Sequence, residues 1–168
     1  MGKAHINIGS NLGNSRSVIE RAVAGIALLA QDGTVRRSRL IESEPWGFES
    51  PRRFLNLGVE IETCHAPGEL LERLLSLQNS ICDASHRSED GGYADRVIDI
   101  DLIYYDSEVI PESWPEAGGG AIVVPHPRMH MREFVLGPVA QLDPCWRHPV
   151  TGHTAAEMLS RLDGRDGS

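Results

Sequence analysis

One short stretch, residues 97–103, reads Val-Ile-Asp-Ile-Asp-Leu-Ile and constrains the fold more than any other part of the chain. Apolar and acidic residues alternate in it, which is the pattern of a β-strand with one buried face. Residues two apart on a strand point to the same side, so Asp99 and Asp101 are expected to share a face. The apolar residues between and around them would fill the opposite face. The chain must therefore bury one side of this strand and keep a polar site on the other.

The two carboxylates set a chemical requirement of their own. Neighbouring acids repel each other unless a cation or a proton lies between them. Mg²⁺ fits this position, because it takes oxygen ligands and usually binds through one or two carboxylates together with substrate phosphates. An exposed polar face on an edge strand is the alternative, and the Asp-x-Asp pattern alone does not separate the two.

Cationic residues stand around the acidic pair in the sequence. Arg96 lies three residues before Asp99, Arg87 lies in the polar loop before the strand, and His126 and Arg132 follow it. Guanidinium groups match the oxygens of phosphate. Any one of these arginines on its own could equally be a solvated surface residue. Together with the acids they have the composition of a nucleotide–metal site, in which acids hold Mg²⁺ and cations hold a polyphosphate.

The rest of the chain mixes strands and helices in irregular order, without repeats or an internal linker. Strands are predicted at 5–8, 35–42, 54–63, 97–105 and 122–124. Helices are predicted from a Ser17–Glu20 capping box to Gly33, at 67–84, at 132–142 with an interruption at 137–138, and from a Thr154–Glu157 capping box to Leu162. Residues 1–168 are therefore expected to form a single α+β domain with a largely antiparallel sheet. A parallel doubly wound sheet is the weaker alternative.

Charge and composition exclude several classes of protein. The formal net charge of −8 argues against a nucleic-acid binder. No apolar run approaches the roughly 20 residues that span a bilayer, and no signal peptide is visible. The three scattered cysteines show neither a disulfide framework nor metal-ligand spacing. We expect a cytoplasmic protein without nucleic-acid or membrane partners, and its oligomeric state stays open, with a monomer slightly favoured.

An ordered set of motifs runs through most of the chain. It consists of Ile-Gly-Ser-Asn-Leu-Gly at 8–13, Pro-Trp-Gly at 45–47, Phe-Leu-Asn at 54–56, Ala-Pro-Gly-Glu-Leu-Leu at 66–71, Asp-Arg-Val-Ile-Asp-Ile-Asp at 95–101, Val-Pro-His-Pro at 124–127 and Arg-Glu-Phe-Val-Leu at 132–136. Taken together, these segments resemble the 6-hydroxymethyl-7,8-dihydropterin pyrophosphokinase family, which activates a pterin for folate synthesis.

The resemblance implies a ferredoxin-like α/β sandwich that transfers diphosphate from ATP to the pterin hydroxymethyl group and leaves AMP. It implies two Mg²⁺ ions held by Asp99 and Asp101. The implied catalytic residues are Arg87, Arg96, Asp99 and Asp101. The implied pterin contacts are Asn11, Pro45, Trp46, Gly47, Phe54, Asn56, Tyr93 and Phe134. The implied ATP contacts are Gln78, Arg87, Ile100, His126 and Arg132.

The stretch 77–93 departs from the family pattern. Aligned without a gap, the family's Gly-Arg pair falls on residues 82–83, which are Cys-Asp. One extra helical turn instead brings the arginine to Arg87 and puts Tyr93 in place of a tryptophan, and we prefer this alignment because it restores a cation. The acidic pair at 89–90 still brings negative charge where positive charge is expected. Two alternatives therefore stand beside an active enzyme: a diverged paralogue acting on another pterin, and a non-catalytic pterin- or nucleotide-binding protein.

Overall fold

The computed structural model describes residues 1–11, 15–43, 54–86, 98–110 and 123–166. The strands are β1 (Gly2–Ser10), β2 (Arg36–Arg37), β3 (Ile41–Ser43), β4 (Phe54–Thr63) and β5 (Asp99–Tyr105). The helices are α1 (Ser15–Ala27), α2 (Pro67–His86), α3 (Glu133–Leu142) and α4 (Ala155–Asp166), with one 3₁₀ turn at Met129–Met131. None of the helices in these ranges is long and apolar enough to cross a membrane.

The strands form one antiparallel sheet in the order β2–β4–β1–β5, and β3 lies beside β4 on the same edge as β2. If β2 and β3 are counted as one edge, the order of elements up to β5 is β-α-β-β-α-β, which is the ferredoxin-like arrangement. The predicted α+β class and the largely antiparallel sheet are therefore confirmed.

The edge strand predicted at 35–42 is divided into β2 and β3, so the continuous strand was wrong. Ser38 lies at the break, and its hydroxyl oxygen accepts a hydrogen bond from the Gly58 N–H at 2.8 Å. The Ser38 N–H in turn donates to the Gly58 carbonyl at 2.9 Å. Because a side chain replaces a backbone acceptor here, the edge changes course while β4 stays paired.

Two helices cover one face of the sheet and form the larger core with it. The apolar residues of β1, β4 and β5 on this face pack against α1 and α2, and their buried members include Ala4, Ile6, Ile8, Leu57, Val59, Ile61, Ile100, Leu102, Val18, Ile19, Ala22, Ile26, Leu70 and Leu74. Their spacing follows a period of two on the strands and steps of three and four on the helices. The opposite face of β1, β4 and β5 carries most of the polar residues of these strands.

The second face is covered by α3, α4 and the 3₁₀ turn, around a smaller core that includes Tyr104, Trp146 and Val139. Helix α3 runs without a break through Pro138, so the predicted interruption was wrong. Gly58 explains how α3 packs there: a Cβ at this position would lie 2.3 Å from the Pro138 Cβ. The helix therefore rests directly on β4 at a residue that has no side chain.

Strand β5 contains one residue more than its partner requires. His5 of β1 pairs with Tyr104 and Ile6 pairs with Leu102, which leaves Ile103 as the extra residue of a β-bulge. Ile103 and Tyr104 both pack into the smaller core, whereas Leu102 packs into the larger one. The alternation of faces along β5 therefore restarts at Ile103, after the acidic pair.

His5 is fully buried on the face of β1 that α3 covers. Its ring stacks on Tyr104 with 5.6 Å between centroids, and neither ring nitrogen has a hydrogen-bond partner within the described ranges. Burial lowers the pKa of His5 from 6.5 to about 3. The folded protein therefore keeps this imidazole neutral at pH values where the unfolded chain binds a proton.

Replacing His5 by Phe should flatten the dependence of stability on pH. In the wild type, the free energy of unfolding falls as the pH drops from 6.5 towards 3, by roughly 3 kcal/mol at pH 4.5 from this residue alone. Phenylalanine keeps the stacking and has no proton to bind. Urea denaturation between pH 7.5 and 4 checks this, and parallel curves for the two proteins would contradict it.

Candidate active site

Strands β4, β1 and β5 lie side by side, so residues paired across them form rows on the polar face. One row consists of Asn56, Gly9 and Asp99, and the next consists of Gly58, Asn7 and Asp101. Both aspartates are half-buried, while Ile100 between them is 2% exposed and faces the larger core. The prediction that the two acids share a face opposite the apolar residues is confirmed.

Gly9 has no side chain, and Asn56 and Phe54 come close to it in the middle of its row. A Cβ built there would lie 3.1 Å from Asn56 Oδ1 and 3.7 Å from Phe54 Cδ1. Asn56 is 2% exposed, and its Nδ2 donates to the Ile41 carbonyl at 3.3 Å, so its Oδ1 is turned towards Gly9. The result is a slot with an amide oxygen and an aromatic edge on one side and Asp99 on the other.

Arg132 extends the site from the side of α3. Arg132 is half-buried and is the residue immediately before α3. Its Cζ lies 5.7 Å from the centroid of the Phe134 ring. Burial lowers the pKa of Arg132, whereas the charges of Asp101 and Asp99 act in the opposite direction. The guanidinium therefore stays charged and lies within electrostatic reach of both acids.

His126 is bonded to β5, the strand of the two acids, through its backbone. Its N–H donates to the Ile103 carbonyl at 2.7 Å, and its Nδ1 accepts from the Arg128 N–H at 3.1 Å. Burial, followed by the charges of Arg132 and Arg128, lowers the pKa of His126 to about 4. The imidazole is therefore neutral at pH 7, with its proton on Nε2 as a hydrogen-bond donor.

Three other predicted contacts have different surroundings from the residues of the two rows. Gln78 of α2 accepts a hydrogen bond from the Ile100 N–H at 2.7 Å, which ties α2 to the start of β5. Because the Ile100 side chain is in the core, a contact with ATP through this residue would use its backbone. Asn11, 2% exposed, directly follows β1. The roles given to these three residues stay predictions.

The remaining predicted site residues lie outside the described ranges, and their roles also stay predictions: Pro45, Trp46, Gly47, Arg87, Tyr93 and Arg96.

The donor set on this face fits Mg²⁺ in the manner of phosphate-transfer sites. Within the described part of the chain, no group of three or more His, Cys, Asp or Glu side chains could hold a metal alone. Mg²⁺ typically needs only one or two carboxylates when phosphates and waters complete its shell. Asp99 and Asp101 would supply these carboxylates, and Asn7 beside Asp101 has a buried oxygen atom with no partner in the described ranges.

Sequence reasoning missed Asn7. Polar residues at positions 5 and 7 alternate with Ile6 and Ile8, and this was the available signal for a polar face on β1. Only the pairing of β1 with β5 places Asn7 next to Asp101.

Residues 5–144 match the family model of 7,8-dihydro-6-hydroxymethylpterin-pyrophosphokinase (HPPK). The chain is 33% identical over 139 residues to the 2-amino-4-hydroxy-6-hydroxymethyldihydropteridine pyrophosphokinase of Bacillus subtilis, which covers 83% of this chain and 77% of that protein. The enzyme of the same name from Porphyromonas gingivalis is 33% identical over 150 residues, 89% of this chain and 95% of the relative. The one from Methylorubrum extorquens is 31% identical over 163 residues, 97% and 95% respectively.

Solved structures share the fold. An HPPK-DHPS of Plasmodium falciparum superposes with a TM-score of 0.73 at 13% identity, over 98% of this chain and 44% of that one. An HPPK-DHPS in complex with substrates gives a TM-score of 0.67 at 12% identity, over 99% and 44%. This chain thus spans less than half of those longer chains, and at such identities the likeness concerns the fold alone. The family model and the relatives above 30% identity cover most of its length, so the chain belongs to the 7,8-dihydro-6-hydroxymethylpterin-pyrophosphokinase family, as its sequence predicted.

Proposed function

We propose that this chain transfers diphosphate from ATP to the hydroxymethyl group of 6-hydroxymethyl-7,8-dihydropterin, giving AMP and the pterin diphosphate used in folate synthesis. The observation that carries the proposal is the row Asn56–Gly9–Asp99. It puts a fixed amide oxygen for a heterocycle and a carboxylate for a metal on either side of a residue without a side chain. Family membership supplies the reaction class, and we expect the enzyme to work in the cytoplasm.

The pterin end of the site is formed by β4 and α3. Asn56 Oδ1 would accept a hydrogen bond from a ring N–H, and its orientation is fixed because its Nδ2 is bonded to the Ile41 carbonyl. Phe54 lies beside Gly9, and Phe134 lies beneath Arg132. A flat ring stacked between the two phenyl groups would place its hydroxymethyl group towards Asp99.

The phosphate end is formed by β5 and the segment before α3. Asp99 and Asp101 would hold two Mg²⁺ ions, which neutralise the polyphosphate and polarise the attacking oxygen when bound. Arg132 would donate to phosphate oxygens as a charged fork, and His126 would donate through Nε2–H as a neutral group. The hydroxymethyl oxygen attacks the β-phosphorus in line and releases its proton to solvent, and AMP leaves with the electron pair of the broken P–O bond. Positioning and electrostatics supply most of the catalysis.

Incubation with ATP, Mg²⁺ and the hydroxymethyl dihydropterin tests the proposal. AMP by chromatography and the pterin diphosphate by mass spectrometry should appear in equal amounts, and neither should form without the pterin. Binding of both ligands without AMP would overturn the proposal and favour a non-catalytic binding protein. AMP formed only with a different pterin alcohol would indicate a diverged paralogue.

Replacing Gly9 by Ala should raise the KM for the pterin about tenfold, because a methyl group in the slot displaces the ring from Asn56. The KM for ATP should change by less than about threefold, since the three atoms nearest the added methyl group belong to Asn56, Phe54 and Leu55 and none belongs to Asp99. Gly68→Ala is the matched control, because a Cβ there meets nothing within 4 Å. Steady-state kinetics with each substrate varied decides, and an unchanged pterin KM in Gly9→Ala would refute the slot.

A further inference from the structure

Asn7 lies at the centre of the second row on the polar face, between Gly58 of β4 and Asp101 of β5. It is 3% exposed, and its neighbours Ile6 and Ile8 point into the larger core on the other side of the sheet. Its amide is therefore buried on the same face as the acidic pair. Residues paired directly across two strands have their Cβ atoms about 5 Å apart, so the amide and the Asp101 carboxylate are close neighbours.

The oxygen of this amide has no hydrogen-bond donor among the residues that the structure describes. Asn7 Oδ1 is buried and makes no hydrogen bond to any part of the chain that the structure describes. A buried acceptor of this kind is unfavourable unless a ligand or a water supplies a donor. The row itself cannot supply one: Gly58 has no side chain, and an ionised Asp101 only accepts. The Gly58 N–H is already bonded to the Ser38 hydroxyl.

The chemistry of the bound substrates narrows the choice of donor. Phosphate oxygens of ATP only accept from an amide, so they do not match Oδ1. The pterin carries N–H donors, but its proposed position is at the row of Asn56 and Gly9. That row is two residues along β1 from Asn7. Mg²⁺ keeps several waters when it binds through carboxylates and phosphates, and each of these waters is a strong donor.

We propose that Asn7 is a positioning residue of the metal site, and that its Oδ1 accepts a hydrogen bond from a water bound to the Mg²⁺ ion at Asp101. The proposal rests on the proposed function, because it requires a metal at Asp101. Asn7 touches neither the metal nor the reacting atoms directly. It fixes the orientation of the hydration shell and thereby the geometry in which Asp101 holds the ion.

Mn²⁺ binding in the presence of a non-hydrolysable ATP analogue, measured by electron paramagnetic resonance, tests this directly. Asn7→Ala should weaken Mn²⁺ binding about tenfold, the range found when outer-shell partners of a metal are removed. His5→Phe is the matched control: it changes a buried residue two positions away on the same face of β1, and should leave Mn²⁺ affinity within twofold. Wild-type affinity in Asn7→Ala would overturn the proposal.

Asn7→Asp keeps the test decisive if the alanine variant does not fold. A third carboxylate beside Asp101 should make the melting temperature depend on Mg²⁺ far more than in the wild type, because the cation relieves the repulsion. A melting temperature with the wild-type response to Mg²⁺ would place residue 7 out of reach of the metal and overturn the proposal.

AMP formation by the wild type, assayed separately, distinguishes a failure of the proposed function from a failure of the proposed role of Asn7. AMP production together with unchanged Mn²⁺ affinity in Asn7→Ala rejects the role of Asn7 and keeps the proposed function. Weakened Mn²⁺ binding in Asn7→Ala with no AMP from the wild type rejects the proposed function and keeps the role of Asn7.

Discussion

Replacing Asp101 by Asn should lower kcat for AMP formation by about 10³-fold while leaving the protein folded. The amide has the shape of the carboxylate but no charge. It should therefore bind Mg²⁺ poorly and leave Asp99 as the one negative charge of the pair. Loss of the repulsion between the two acids should leave the melting temperature unchanged or slightly higher without metal. Rapid-quench assays with ATP and pterin at saturation measure the effect on the chemical step.

Asp106→Asn is the matched control for this experiment. Asp106 directly follows the same strand at its opposite end, and its side chain accepts a hydrogen bond from the Lys3 N–H at 2.9 Å. Its φ of 51° is one that asparagine also adopts. The control should retain wild-type kcat. Wild-type kcat in Asp101→Asn would show that Asp101 does not hold the metal, and the proposed arrangement of ATP would then be wrong.

Replacing Arg132 by Gln should lower kcat/KM for ATP by about 10² to 10³-fold, with little change in the binding of the pterin alone. The guanidinium is half-buried over Phe134 and lies within the field of both acids, so it would meet the polyphosphate in a poorly screened environment. Arg132→Lys should recover part of the loss, because it keeps the charge and lacks the two-pronged geometry. Pre-steady-state ATP binding and single-turnover rates separate the two contributions.

Arg161→Gln, on the exposed surface of α4, provides the comparison for Arg132, and should behave as the wild type. Equal activity of Arg132→Gln and the wild type would show that other cations hold the phosphates.

Local patterns allowed much of the fold to be predicted. Alternation along β4 gave the limits of that strand, and alternation along β5 gave the face of the acidic pair. The Thr154–Glu157 capping box is present, because each residue's backbone N–H donates to the other's side chain, at 2.9 and 3.2 Å. All of these features depend on residues within a few positions of each other, and this is the range over which a sequence pattern is informative.

Features that depend on distant parts of the chain were not predictable in the same way. The Ser17–Glu20 capping box was wrong: α1 begins at Ser15, and the Glu20 carboxylate pairs with Arg37 of β2. Pro138 lies inside α3 and packs on Gly58, eighty positions earlier in the sequence, a contact that no local pattern indicates. The place of Asn7 beside Asp101 likewise follows from strand pairing rather than from any motif.

The extra residue at Ile103 separates two tasks within a single strand. Before it, β5 carries Asp99 and Asp101, the acids proposed to hold the metal, and after it Tyr104 joins Trp146 in an aromatic stack with 4.1 Å between centroids. Because the bulge absorbs a change in the alternation of faces, mutations that alter packing near Tyr104 need not change the face on which Asp99 and Asp101 lie. A deletion of Ile103 would leave a single uninterrupted alternation of faces along β5. Either the acids or the aromatic residues would then turn to the wrong side of the sheet. Substitutions can thus change the packing stability at the Tyr104 end of β5 while the orientation of Asp99 and Asp101 at the other end is kept.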